Sequence, residues 1–272
     1  WRMEPKPEDR EAYLKGKVVE PAKPIVFYID NSTPYQWRKY IKRGIEDWQI
    51  AFEKAGFKNA IIAIEVTDSM EIDMDDVNYS VLTYAASEKK NAMGPSLLDP
   101  RSGEILEADI MWWHNVLSMV SEWITVQTGT VCPEARSVQL PDSLLGDAIR
   151  FVACNEVGHS LGLRHNMMGS AAFPTDSLRS ATFTSRLNST ASSIMDYARF
   201  NYIAQPGDGV KVLSPHIGPY DIFAIEYGYR WYGKNSPEEE KDILFDFLSK
   251  HTDRLYKYSE AQDVRDAVDP RA

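Results

Sequence analysis

One segment of this 272-residue chain holds residues whose types and spacing suit metal-assisted hydrolysis: Asn155-Glu156-Val157-Gly158-His159, followed by Ser160-Leu161-Gly162-Leu163-Arg164-His165. Residues four apart share one face of a helix, so positions 155 and 159 aim at a common point and Glu156 projects beside them. Gly162 predicts the helix end, because glycine adopts the positive φ that turns a chain sharply, and that turn returns His165 towards His159. Imidazole nitrogens suit Zn²⁺, and three protein ligands leave an open position for a water that the metal acidifies to a pKa of about 7. Glu156 is placed to take its proton.

Position 155 departs from the best donor type. An amide oxygen is neutral and a poorer zinc donor than imidazole, so the nitrogen ligands fall to His159 and His165, with Asn155 a weak ligand or a lost one. Losing even an outer partner of a metal site typically costs about 10- to 100-fold in affinity or activity, and losing an imidazole costs at least that. Cys154 is no substitute, because its side chain points about 100° away around the helix; it reads as a buried thiol.

Downstream stands Ser193-Ile194-Met195-Asp196-Tyr197. With this second motif the chain resembles the metzincin clan of zinc metallopeptidases, whose pattern is HExxHxxGxxH followed by a methionine turn. Of the five specified positions, four match. The resemblance implies that His159 and His165 hold zinc, that Glu156 is the general base, and that Met195 forms an apolar floor beneath the metal. It also implies that Tyr197 approaches the metal, as the tyrosine two residues after the methionine does in astacin- and serralysin-like members. Residues 91–114 resemble the family's edge strand and hairpin above the cleft, and residues 217–229 its C-terminal helix, so the likeness spans residues 24–232. A peptide or protein substrate in extended form would then pair with the edge strand near Met93, Gly94, Pro95 and Ser96. Through GLRHN and SIMDYARFNY the chain is similar to the metzincin-like domain of large exported bacterial zinc-dependent peptidases, which implies an extracytoplasmic location and further domains in a longer chain.

Taken singly, these residues are less telling. Met195 alone reads as a core methionine, and Tyr197 fits a packed, hydrogen-bonded aromatic as well as a metal neighbour. His114, His216 and His251 lack a partner at ligand spacing and read as surface or core histidines.

The composition excludes other classes. Lys and Arg number 30 against 40 Asp and Glu, a net charge of −10, with no basic cluster to track a phosphate backbone, so nucleic acid is not an expected partner. Two cysteines are too few for a disulfide scaffold or a thiolate zinc site. The most apolar stretch, residues 111–126, is interrupted by His114, Asn115 and Glu122 and falls short of the roughly 18 residues a membrane span needs. The acidic residues between 68 and 78 fail the EF-hand template and read as a solvated loop: counting from Asp73, Asn78 stands where glycine is required and Tyr84 where glutamate is.

The elements that must position the site follow from periodicity. Residues 1–23 read as an N-terminal arm. A strand at 24–30, a helix from a Thr33 cap through the stripe Trp37, Ile41, Ile45, Trp48 and Phe52 to Gly56, and a strand at 60–66 make a βαβ unit. Strands are predicted at 79–86, 91–98 and 105–112, the last two as a hairpin. Helices follow at 115–128, whose stripe reads as core, and at 142–163, 219–229 and 236–250. The fold class expected is α+β and zincin-like: a twisted, mixed five-stranded sheet, two long helices including the active-site helix, and a smaller irregular C-terminal subdomain. The expected division is 24–165 for the N-terminal subdomain, 166–232 for the C-terminal one with the methionine turn, and 233–272 for a helical extension. Three functions fit: a zinc endopeptidase, a pseudopeptidase that binds peptides, and a purely structural domain. Retention of Glu156, His159, His165 and Met195 argues against the third.

Overall fold

A computed structural model describes residues 1–234 and 236–260; the rest of the expected extension lies outside the described residues. After a short helix α1 (Arg10–Leu14), strand β1 (Ile25–Ile29) leads into helices α2 (Tyr35–Glu46) and α3 (Gln49–Lys54) and back to β2 (Ile61–Glu65). Strands β3 (Ser80–Ala85), β4 (Ala92–Met93), β5 (Leu97–Leu98), β6 (Ile105–Glu107) and β7 (Ile110–Trp113) follow. Helices α4 (Val116–Thr128), α5 (Asp142–Ser160), α6 (Ala181–Leu187), α7 (Pro219–Tyr229) and α8 (Pro237–Ser249) complete the order.

The main sheet runs β2-β1-β3-β7-β4. Its first four strands pair in parallel and β4 closes the edge antiparallel to β7. This is the mixed five-stranded α+β architecture expected of a zincin-like fold. The sheet's apolar face, including Phe27, Ile29, Leu82 and Ile110, packs into the core beneath α2 and α5. Helices α2 and α5 approach closely because position 44 is glycine: a Cβ there would stand 2.5 Å from the Arg150 carbonyl and 2.8 Å from Ala153 Cβ. At that crossing the fully buried Arg150 guanidinium joins Asp47 (2.6 Å), Asp147 (2.8 Å) and the Pro215 carbonyl (3.0 Å), tying both helices to the lower part of the molecule. Buried charges persist only when paired in this way.

Three details differ from expectation. The helix predicted after Thr33 is two helices broken at Asp47-Trp48, and Thr33 is not its cap: Pro34 occupies that position and Thr33 Oγ1 is buried without a partner among the described residues. The stripe continues across the break, with Trp48 donating to the Cys154 carbonyl at 2.8 Å, so periodicity alone does not reveal it. The predicted hairpin is also split. Gly94-Pro95 interrupts its first strand, since proline has no N–H for a ladder; β4 joins the main sheet while β5 and β6 pair separately. The N-terminal arm packs against the core, with Met3, Tyr13 and Val19 buried and Trp1 Nε1 donating to the Ser160 carbonyl at 2.8 Å. Finally, α4 is not wholly core: Val120 and Ile124 are buried, but Met119 and Trp123 face a cleft. No helix among the described residues is long and apolar enough to cross a membrane.

Candidate metal centre and cleft

Helix α5 ends in a motif read directly from its bonds. Gly162 takes φ +89°, its N–H bonds to the His159 carbonyl (2.9 Å), and the Leu163 N–H reaches back to the Gly158 carbonyl (3.0 Å). This is the paired termination a left-handed glycine permits, and it satisfies carbonyls that the helix end would otherwise leave open. Beyond the turn His165 returns, its ring centroid 4.5 Å from that of His159 and nearly perpendicular to it.

Each imidazole is oriented through its inner nitrogen. His159 Nδ1 lies 2.9 Å from the Leu163 carbonyl, and His165 Nδ1 lies 3.1 Å from the Met195 carbonyl. A carbonyl only accepts, so each Nδ1 carries the proton and each Nε2 keeps its lone pair, the tautomer a metal ligand needs. Burial, helped by the neighbouring His165, pushes His159 below the usual histidine range and favours the neutral form.

Met195 is fully buried, and it fits only because position 158 is glycine: a Cβ there would meet Met195 Sδ at 2.2 Å and Trp48 Cζ2 at 2.8 Å. Gly158→Ala is therefore expected to displace the methionine and lower stability by about 1–3 kcal/mol, the usual effect of overfilling a packed core, measured as a fall in thermal midpoint.

The methionine turn is held from below by a residue the sequence reading overlooked. Asp221, fully buried in the first turn of α7, accepts from Ser193 Oγ (2.6 Å), the Ile194 N–H (2.8 Å) and the Gly218 N–H (2.7 Å). Burial pushes its carboxyl up to about 7 against these donors, which hold it down. The signal that locates it is Gly218-Pro219 with an acid two positions on, a helix-start pattern.

Glu156 lines the same cleft as both histidines. Burial pushes its carboxyl up to about 7, the poise a general base needs near neutral pH. Asn155 also lines the cleft, but its Nδ2 donates to the Ile194 carbonyl at 3.0 Å, so Oδ1 is the atom left to act as a donor to a metal. Tyr197 Oη lies 2.8 Å from His165 Nε2, and desolvation, helped by Glu156, holds its phenol above the usual range. Among the described residues no group of three His, Cys, Asp or Glu is arranged to hold a metal. The donor set is two imidazole nitrogens with the oxygens of Asn155 and Tyr197 beside them. Zinc accepts such mixed nitrogen and oxygen donors, and the residues fit it with a weakened third position.

The cleft is about 550 Å³. Met93, Gly94 and Pro95 form its upper lip, whereas Ser96 is not part of the lining. The lip sits close over α5 because Gly94 has no side chain: a Cβ there would stand 2.6 Å from the Glu156 carbonyl. Opposite, Val116, Met119, Trp123, Phe151 and Val152 make an apolar wall, and Arg199 lies beside Tyr197. A larger cavity of about 740 Å³, between Lys6, Glu20 and Ile61, carries none of these groups. His114, His216 and His251 stand elsewhere, against Tyr84, the Ser214 carbonyl and the Phe247 ring respectively.

Comparison with curated proteins and with solved structures finds no match. A family model described as Met-zincin matches residues 137–272. The match takes in α5, the turn at Gly162 and the buried Met195, the residues on which the paired imidazoles depend, and on both grounds the chain belongs to the Met-zincin family and carries a metzincin-type metallopeptidase domain.

Proposed function

We propose that the domain is a zinc-dependent endopeptidase in which His159 and His165 hold the metal through Nε2, Asn155 Oδ1 fills the third position weakly, and Glu156 is the general base. When bound, zinc acidifies a water and polarises the peptide carbonyl. Glu156 would take the proton of the attacking water as its oxygen bonds to the peptide carbonyl carbon, and would pass that proton to the amine nitrogen as the C–N bond breaks. The strand edge at Met93 to Pro95 aligns an extended substrate by backbone hydrogen bonds, and Tyr197 Oη donates towards the oxygen that gains charge. The observation that carries this reading is the pair of Nδ1-anchored imidazoles converging beside the half-buried carboxyl of Glu156. From the family resemblance alone, we place the protein outside the cytoplasm, in a longer exported bacterial chain.

One observation favours a second reading, a pseudopeptidase that binds peptides without cleaving them. The Asn155 amide is engaged by the Ile194 carbonyl, and the His165 Nε2 lone pair accepts from Tyr197, so the site also closes on its own hydrogen bonds.

Metal analysis separates the two. The peptidase retains zinc near one equivalent and cleaves an unstructured protein, with cleavage abolished by chelator and by Glu156→Gln. Asn155→His is expected to tighten zinc binding at least tenfold, read by competition with a chromophoric chelator. Absence of zinc and of cleavage in the unsubstituted chain, with uptake restored by Asn155→His, establishes the pseudopeptidase. Failure of that reversion to take up metal overturns the ligand assignment itself.

A further inference from the structure

We infer that Arg199 is a carboxylate-binding, specificity-determining residue of the cleft, so that the favoured peptides carry an acidic side chain or a free C-terminal carboxylate close to the bond held over Glu156. The inference deepens the proposed function and rests on the reading of this cleft as a peptide site.

Arg199 lines the same cavity as Glu156, His159 and His165. Its guanidinium lies over the Trp123 ring at 4.0 Å and within 6.0 Å of the Tyr197 ring. Stacking on Trp123 fixes one face of the group and leaves its edge, the donor-bearing fork, to other partners. The described residues do not supply one to Nε, which is buried with no hydrogen-bond partner among them. The contrast with Arg150 is informative, since that buried arginine holds two carboxylates and a carbonyl. Among the described residues no anion pairs with this half-buried cation of the cleft, an arrangement that is costly unless a ligand supplies one.

The backbone beneath it is held as well. Arg199 adopts φ +53°, a conformation that non-glycine residues rarely take and that persists where surrounding contacts impose it. Its carbonyl accepts from Thr190 Oγ1 (3.3 Å), the next N–H donates to Gln127 Oε1 (3.0 Å), and the Phe200 ring packs edge-on against Phe151. The guanidinium is therefore presented in a set position beside the apolar wall of Val116, Met119 and Phe151, where a charge-assisted pair with a carboxylate is stronger than in water.

The test uses the Glu156→Gln protein, which cannot turn over substrate, and fluorescein-labelled peptides of one apolar parent sequence read by anisotropy. One arm is the C-terminally amidated parent with glutamine at each position in turn. The second places glutamate at the same positions, and the third is the parent with a free C-terminal carboxylate, which distinguishes the two sources of the anion. At least one carboxylate arm is expected to bind about tenfold more tightly than its neutral counterpart, a difference of about 1.4 kcal/mol, and the advantage should shrink as salt is raised. Arg199→Met should bring the ratio to about one, Arg199→Lys should leave it intermediate, and Arg199→Glu should reverse it in favour of a lysine-bearing peptide, an outcome that misfolding cannot produce. Equal binding in all arms, or a preference that survives Arg199→Met, overturns the role of Arg199 and leaves the peptidase reading standing. Absence of binding with every peptide, together with absence of cleavage of the same peptides by the zinc-loaded protein that keeps Glu156, overturns both.

Discussion

With metal stripped from both, the Glu156→Gln protein is expected to be more stable than the unsubstituted chain at pH 8, by about 3 kcal/mol. The cause is the burial that pushes the Glu156 carboxyl from its ordinary 4.5 up to about 7. Between these values the folded state holds the proton more tightly than the unfolded chain, so the group's contribution to stability falls as pH rises through that window. The loss is complete above pH of about 8 and absent below about 4, where both states are protonated. Each tenfold difference in proton affinity between the two states is worth about 1.4 kcal/mol, so the full gap reaches about 3 kcal/mol, or a rise of about 6–12 °C in thermal midpoint. Glutamine keeps the shape and carries no charge, so the difference between the two proteins isolates this ionisation. Asp221 titrates in both proteins and cancels. Urea denaturation across pH 4 to 9 reads the result, and superimposable curves at every pH would show that Glu156 is solvated.

A larger loss is expected from Asp221→Ala, about 3–5 kcal/mol in the same denaturation assay. Removing this carboxylate strands the Ile194 and Gly218 N–H groups and the Ser193 hydroxyl in a site from which water is excluded, and each buried donor left unpaired costs about 1–3 kcal/mol. The effect should spread to the metal. Ser193 Oγ also receives the Met195 N–H at 3.1 Å, and the Met195 carbonyl is the group that orients His165. Zinc affinity is therefore expected to fall with Asp221→Ala although Asp221 touches no ligand. Asp221→Asn is the control: its amide oxygen can take both backbone N–H groups while its NH₂ faces a hydroxyl free to accept. Equal losses for the alanine and asparagine variants would refute the hydrogen-bond account.

What was legible in the sequence is what chain-local geometry dictates. Glu156, His159, Gly162 and His165 lie within ten residues of one another, and helix pitch plus one left-handed glycine brings the two imidazoles together. Helix α7 was legible for a similar reason, as proline in its first turn marks its start. The misses involve partners far apart along the chain. The break at Asp47-Trp48 leaves the apolar stripe unbroken, and its residues answer to Arg150 and Cys154, about a hundred positions away. The split at Gly94-Pro95 had a local cue that the alternation of the surrounding residues masked. Met119 and Trp123 share their helix with fully buried neighbours, so their exposure to the cleft depends on where α5 and Arg199 lie. Asn155 illustrates the same boundary from the other side: its identity signals a weakened ligand, but only the fold reveals that its amide group leans on the Ile194 carbonyl.

The Met195 carbonyl receives both His165 Nδ1 and the Asn166 N–H, and close by the Ser192 N–H meets the Gly169 carbonyl while the Ser170 N–H meets Asp196. The excursion from Ser170 to Ala191 is thus pinched shut at its base. Thr190 within it still bears on the cleft through the Arg199 carbonyl, so freedom to drift in length and composition falls to the exposed tip at Pro174, Thr175 and Asp176, which makes that tip the natural place to accept an inserted module.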